Sequence, residues 1–236
     1  MNIKAFNKAA LLAFGITLCA VLFCTTETMA QPRNRNFIKE CIAEYGSCRN
    51  VAITKYNGDV MLYGRNGWAA EGCPKGLTDA LNDLNDDGET IVDVQLTESG
   101  DWLILYGDNG LRWSDIPQDL EDKLREWNAD GETITSVAFN DSGDWVAICE
   151  SYVSSSDEDI QEWMVEGMDD YGTVWAACVT EDAIVLVYES GYSYLGEIPS
   201  TLEDALYETD LDVFYLKIAG DSWFMADKDG SYAYNM

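Results

Sequence analysis

Tyr63-Gly-Arg-Asn-Gly67 returns as Tyr106-Gly-Asp-Asn-Gly110, and Asn85-Asp-Asp-Gly-Glu-Thr-Ile91 returns as Asn128-Ala-Asp-Gly-Glu-Thr-Ile134. Both pairs are offset by 43 residues. A third echo pairs Ile116-Pro-Gln-Asp-Leu-Glu-Asp-Lys-Leu124 with Ile198-Pro-Ser-Thr-Leu-Glu-Asp-Ala-Leu206, 82 residues on, a gap that holds two units. A fixed period near 40 residues means one supersecondary unit copied along the chain.

The second copy is the easiest to read. Ile91–Thr97 is β-branched and alternates from Val92 onward, as a strand does. Trp102–Tyr106 is an apolar run of strand length, and Asp108-Asn-Gly110 makes a hairpin turn because Asn-Gly reaches positive φ cheaply. Leu111–Trp113 opens a third strand. Pro117 suits the first turn of a helix, in which Leu120, Leu124 and Trp127 recur at helical spacing. Asp119, Glu121 and Asp122 favour its N-terminal end, and Gly131 closes it. The unit is therefore βββα.

Units are expected at about 50–90, 91–134, 135–173 and 174–212, the third having a poor third strand near Tyr152. The fifth, 213–236, has strands but no helix. A helix without strands, Phe37–Tyr45, stands at the other end, within 36–48. An α+β repeat protein of five units follows, in which the N-terminal helix completes the last unit and the units close as a ring without exposed sheet edges. This architecture resembles a five-bladed β-propeller with a helix in place of the fourth strand of each blade. The resemblance covers about residues 36–236 and is one of architecture alone. Blade count and length are similar to the tachylectin-like animal lectins, but no motif is shared, so it implies no binding residues. An open stack of αβββ units is the competing arrangement.

Residues 1–30 read as a signal peptide. Lys4 and Lys8 precede an apolar run, Ala9–Cys24, and Thr28-Met-Ala30 places small residues for cleavage after Ala30. The run of 16 residues is short for a membrane span, which needs roughly 20. Cys24 offers a lipid-attachment alternative, against which Phe23 stands where a small residue is wanted. The expectation is an exported protein, periplasmic or extracellular, with 31–236 as one repeat domain and no membrane insertion.

The chain carries 43 acidic and 14 basic residues, net −29. Such a charge repels nucleic-acid backbones, so nucleic acid is not an expected partner. Five cysteines follow Ala30: Cys41, Cys48, Cys73, Cys149 and Cys178. An odd number leaves at least one unpaired. The best intrachain pairing lies among the first three; Cys149 and Cys178 suit either buried thiols or a disulfide. Cys41 and Cys48 would stand about 10 Å apart in one continuous helix, too far to bridge unless Gly46 ends it between them.

The chain contains no histidine. Histidine bases, Ser/His and Cys/His nucleophile pairs and histidine zinc sites are excluded. No cofactor is implied. Asp83–Asp87 resembles half of a calcium loop, but its twelfth position is Val94 where a bidentate Glu is needed, so a helix end and loop is the better reading.

Aromatic residues are the functional lead. Trp102, Trp145 and Trp223 share one repeat position and read as packing between units. A second set lies on the third strands: Trp68, Trp113, Tyr152, Tyr192, Tyr194, Tyr232 and Tyr234. Flat aromatic faces beside acids and amides suit sugar rings or a protein segment. The expected function is a non-catalytic binding module for carbohydrate or peptide. An acidic protein-interaction scaffold is second, and a glycoside hydrolase using carboxylates alone is third.

Overall fold

The computed structural model describes residues 33–236; the expected signal peptide and Cys24 lie outside the described residues. Within them the chain forms five three-stranded antiparallel sheets, each in simple meander order. The first sheet is β1 (Asn50–Ile53), β2 (Asp59–Tyr63) and β3 (Gly67–Glu71), and the second is β4 (Ile91–Leu96), β5 (Trp102–Tyr106) and β6 (Gly110–Ser114). The third is β7 (Ile134–Phe139), β8 (Trp145–Cys149) and β9 (Val153–Ser155). The fourth is β10 (Val174–Val179), β11 (Ala183–Tyr188) and β12 (Gly191–Gly196), and the fifth is β13 (Tyr215–Ala219), β14 (Ser222–Ala226) and β15 (Tyr232–Asn235). Helices α2 (Lys75–Asp86), α3 (Gln118–Asp130), α4 (Glu158–Tyr171) and α5 (Ser200–Glu208) follow the first four sheets, and α1 (Asn36–Tyr45) precedes them all.

The repeated Tyr-Gly-x-Asn-Gly string has a steric cause. Its first glycine takes positive φ, 53° at Gly64 and 58° at Gly107, to begin the hairpin. Its second lies under the ring of its own tyrosine. A Cβ on Gly67 would stand 2.3 Å from the Tyr63 ring, and one on Gly110 would stand 2.4 Å from Tyr106.

Several boundaries are set by local contacts. β1 stops at Ile53 because the Thr54 hydroxyl takes over as a turn acceptor for the amides of Asn57 and Gly58. Pro74, Pro117 and Pro199 stand just before their helices with extended ψ, not within the first turn, and their carbonyls accept the first helical amides. α4 begins instead on Asp157, whose carboxylate accepts from the amides of Asp159 and Ile160 at 2.8 and 3.3 Å. Tyr152 falls outside β9, and the fifth unit's first strand begins at Tyr215 rather than Val213.

Every helix presents its third residue to the interior: Ile38, Leu77, Leu120, Ile160 and Leu202. Each helix joins the sheet before it and the sheet after it in one apolar cluster. Leu77 and Leu81 of α2 pack with Leu62 of the first sheet and Ile104 of the second. The next three clusters repeat this through α3, α4 and α5. In the fifth, Ile38 and Cys41 of α1 pack with Val51 and Met61 of the first sheet and Phe224 of the last. Helix α1 therefore occupies, between the last and first sheets, the place its counterparts occupy elsewhere.

The first strands lie innermost. β1 touches both β4 and β13, β7 touches β4 and β10, and β10 touches β13. The five sheets stay separate, and among the described residues none closes on itself. A bulge recurs just inside β4, β7 and β10, ahead of Asp93, Ser136 and Ala176.

Trp102, Trp145 and Trp223 are buried, as their shared repeat position implied. Trp102 lies against Gly76 of α2, and Trp223 Nε1 donates to Thr201 Oγ1 at 3.0 Å. In the first sheet the same ladder position is Asp59, which is buried. Two arginines ahead of α1 replace the indole: Arg33 Nε is 2.8 Å and Arg35 Nη1 2.5 Å from the Asp59 carboxylate. Arg35 itself is buried and in the left-handed region.

All five described cysteines are free thiols. The expected pairing among Cys41, Cys48 and Cys73 is not formed: the Cys48 thiol faces the Asn50 carbonyl at 3.7 Å, and that of Cys73 faces the Asp59 carbonyl at 3.3 Å.

Candidate functional site

The first hairpin loops of all five units meet at one end of the inner strands and enclose a cavity of about 330 Å³. Each inner strand sends an apolar side chain from its end there: Ile53, Leu96, Phe139, Val179 and Ile218. These are equivalent residues, because each pairs across its sheet with the first or second residue of the second strand, Asp59, Trp102, Trp145, Ile184 or Trp223. The loops add a polar layer. Thr54, Thr97, Asn140 and Thr180 come first in four of them, and the tight Gly220–Asp221 turn forms the fifth.

The side chains of that layer are committed to their own loops. Thr97 Oγ1 accepts from the Asp101 amide at 3.2 Å, Asn140 Oδ1 from Asp144 at 2.9 Å, and Thr180 Oγ1 from Ala183 at 2.9 Å. The next residue reaches back to the preceding unit. Glu98 accepts from the amides of Lys55 and Tyr56, Asp141 from the Ser99 amide at 3.1 Å and its hydroxyl at 2.6 Å, and Glu181 from the Asp141 amide at 2.9 Å and the Ser142 hydroxyl. Four loops are thereby hooked in sequence, each acidic side chain capping its neighbour's backbone. A carboxylate taking backbone amides makes a strong, charge-assisted hydrogen bond, so the cavity wall is fixed before any ligand arrives.

Asp182 and Glu197, both exposed, also line the cavity and are joined by a backbone hydrogen bond, Glu197 N to Asp182 O, at 3.2 Å. The single basic lining residue is Lys55, whose ammonium lies 5.4 Å above the Tyr56 ring.

Further along the inner strands lies a buried polar node. Asp93 accepts from Asn50 Nδ2 at 2.7 Å, Gln95 Nε2 at 2.7 Å and Lys217 Nζ at 2.8 Å. It ties the first, second and last units together. Burial, reinforced by the Asp93 charge, raises the Tyr215 phenol above its ordinary value. Burial likewise pushes the Cys178 thiol up to about 11, against the pull of Lys217.

The aromatic residues expected as a binding set lie elsewhere, on or beside the third strands of five different sheets. Trp68, Trp113, Tyr192, Tyr194 and Tyr232 are half-buried and pack against the apolar clusters. Tyr152 is well exposed, and Tyr234 is exposed and stacks on Tyr232 at 6.1 Å. Tyr192 and Tyr194 share β12, and the Tyr194 hydroxyl donates to Glu203 at 3.0 Å. The structure thus brings together two same-strand pairs and leaves the other three residues apart. Trp113 borders an open groove of about 490 Å³ shared with Tyr106 and Arg125, where the guanidinium covers its ring at 4.9 Å.

The loop cavity did have a sequence signal. Thr97-Glu-Ser-Gly100 returns as Asn140-Asp-Ser-Gly143 at the same 43-residue offset. Read strand by strand, these strings were only turns. Comparison with known proteins adds no family. No protein-family profile matches this chain, and no curated protein matches it.

Proposed function

We propose that the five units close as a propeller-like ring, and that the chain is an exported, non-catalytic binding module whose ligand sits in the loop cavity. Closure is supported by α1, which takes the standard helix position between the last and first sheets, and by the contacts of β1 with both β4 and β13. The observation that carries the binding reading is the cavity, to which all five units contribute. Its volume falls within the usual range for small-molecule sites, roughly 300–1,000 Å³. Its wall is pre-ordered by the inter-loop hydrogen bonds, which lowers the cost of fixing loops on binding. Export rests on the reading of residues 1–30.

The non-catalytic reading rests on what three of the five cavity carboxylates do. Glu98, Asp141 and Glu181 each hold a neighbouring loop. A catalytic acid or base needs instead to be free to exchange its proton with substrate.

The test is a thermal-shift screen of residues 31–236 against glycan, peptide and amine collections. Hits should disappear in Leu96→Gln, at the cavity, and persist in Trp113→Ala and Tyr194→Ala. Hits with the reverse pattern would move the site to the outer strands and return the carbohydrate reading to the front.

A further inference from the structure

We infer that the loop cavity selects an organic cation, an ammonium or guanidinium group on an apolar body, presented as a free amine or as a basic side chain of a peptide. This rests on the binding-module reading and narrows it to one ligand chemistry.

Two independent features of the cavity carry the inference. The first is its apolar lining, Ile53, Leu96, Phe139, Val179 and Ile218, which rewards burial of a hydrocarbon or aromatic body. The second is an imbalance of hydrogen-bonding groups. Thr54 and Thr180 donate their hydroxyls to carbonyls of their own loops, and Thr97 shares its hydroxyl with Ser99. Asn140 Nδ2 donates to the Thr180 carbonyl at 3.0 Å. The donors of these four side chains are thus engaged, and Lys55 and Tyr56 add one ammonium and one phenol to a lining that carries five carboxylates, of which Asp182 and Glu197 are exposed acceptors.

A lining of five carboxylates and one ammonium discriminates by charge. It repels a carboxylate or phosphate. It offers a sugar few donors for its oxygen lone pairs and leaves them unpaired on burial, at a cost. An ammonium needs only acceptors and finds them at the rim, while its apolar body covers the strand ends. Tyr56 and Phe139 add aromatic faces, and the Lys55 ammonium already lies over Tyr56.

Three probes of one shape separate charge from cavity: phenethylamine, 2-phenylethanol and phenylacetate, titrated into residues 31–236 by calorimetry at low salt. The amine should bind about tenfold more tightly than the alcohol, and phenylacetate more weakly than either. The double variant Asp182→Asn/Glu197→Gln, at two exposed positions, should weaken the amine several-fold, leave the alcohol unchanged and unfold at the parent temperature. N-acetyl-arginine-methylamide and N-acetyl-lysine-methylamide form the peptide arm. Binding of these above phenethylamine assigns the site to a basic protein segment, and the reverse order assigns it to free amines. Equal binding of amine and alcohol would overturn the inference and leave the cavity reading standing. Absence of binding by all three probes and by both peptide mimics would overturn the two together.

Discussion

Lys217 and Asp93 stand 124 residues apart in the chain, yet the ammonium lies 2.8 Å from the carboxylate, both side chains buried. The pair joins the last unit to the second, and Asn50 brings in the first. Removing one partner strands the other charge. Lys217→Met should cost about 3–5 kcal/mol in urea unfolding. Adding Asp93→Asn should restore part of that loss, because the double variant has no orphaned charge. Additive losses would mean that the two groups do not interact.

Helix α1 should matter as much as the helices inside the chain. Ile38 and Leu202 are equally and completely buried at the same helical position. Ile38→Ala and Leu202→Ala should each cost about 2–5 kcal/mol. A loss for Ile38→Ala near zero would detach α1 from the repeat and remove the support for ring closure.

Gly167 in α4 should defy helix propensity. Replacing a mid-helix glycine by alanine ordinarily gains up to about 1 kcal/mol. Here the new Cβ would stand 2.2 Å from the Tyr188 hydroxyl oxygen and 2.5 Å from its ring. Gly167→Ala should therefore lose about 1–3 kcal/mol, read as a melting temperature lower by several degrees. Tyr188→Leu in the same background should recover stability, since it removes the clashing ring. A stabilised single variant would show that Tyr188 moves aside freely.

The desolvated thiols should make the fold sensitive to alkali. Burial pushes Cys48 up to about 12, and Cys73 and Cys178 up to about 11, from an ordinary value of 9.0. The folded state holds these protons after the unfolded chain has lost them. Their contribution is fully present below pH 9 and is lost as pH rises towards 11–12. Melting temperature should fall across that window, and Cys48→Ala should flatten part of the slope. The thiols should also react slowly with maleimide at neutral pH. A slope unchanged by Cys48→Ala would assign the alkaline loss to other groups.

Much of the fold was legible because the repeat is written in its turns. The Tyr-Gly-x-Asn-Gly string marks a positive-φ glycine and a glycine flattened beneath a ring, two demands that few other residues meet. Strand and helix spans followed from alternation and leucine spacing. The location of a site was much less legible. Aromatic residues on the third strands drew attention, yet helices cover much of them. The cavity instead gathers residues from five loops spread along the chain, and no local window of sequence displays that convergence. The Asp59 site was hidden for a related reason: two arginines ahead of α1 replace a tryptophan, a physical equivalence without chemical similarity.

Met236 packs against the same apolar cluster as Phe37 and Ile42 of the first helix. A circular permutant is therefore accessible. A short linker from residue 236 to residue 33, which keeps Arg33 and Arg35 on Asp59, with new ends opened between Gly46 and Asn50, would give a chain in which all five units run strand, strand, strand, helix. The five apolar interfaces would be unchanged, and each unit could then be exchanged as an interchangeable cassette.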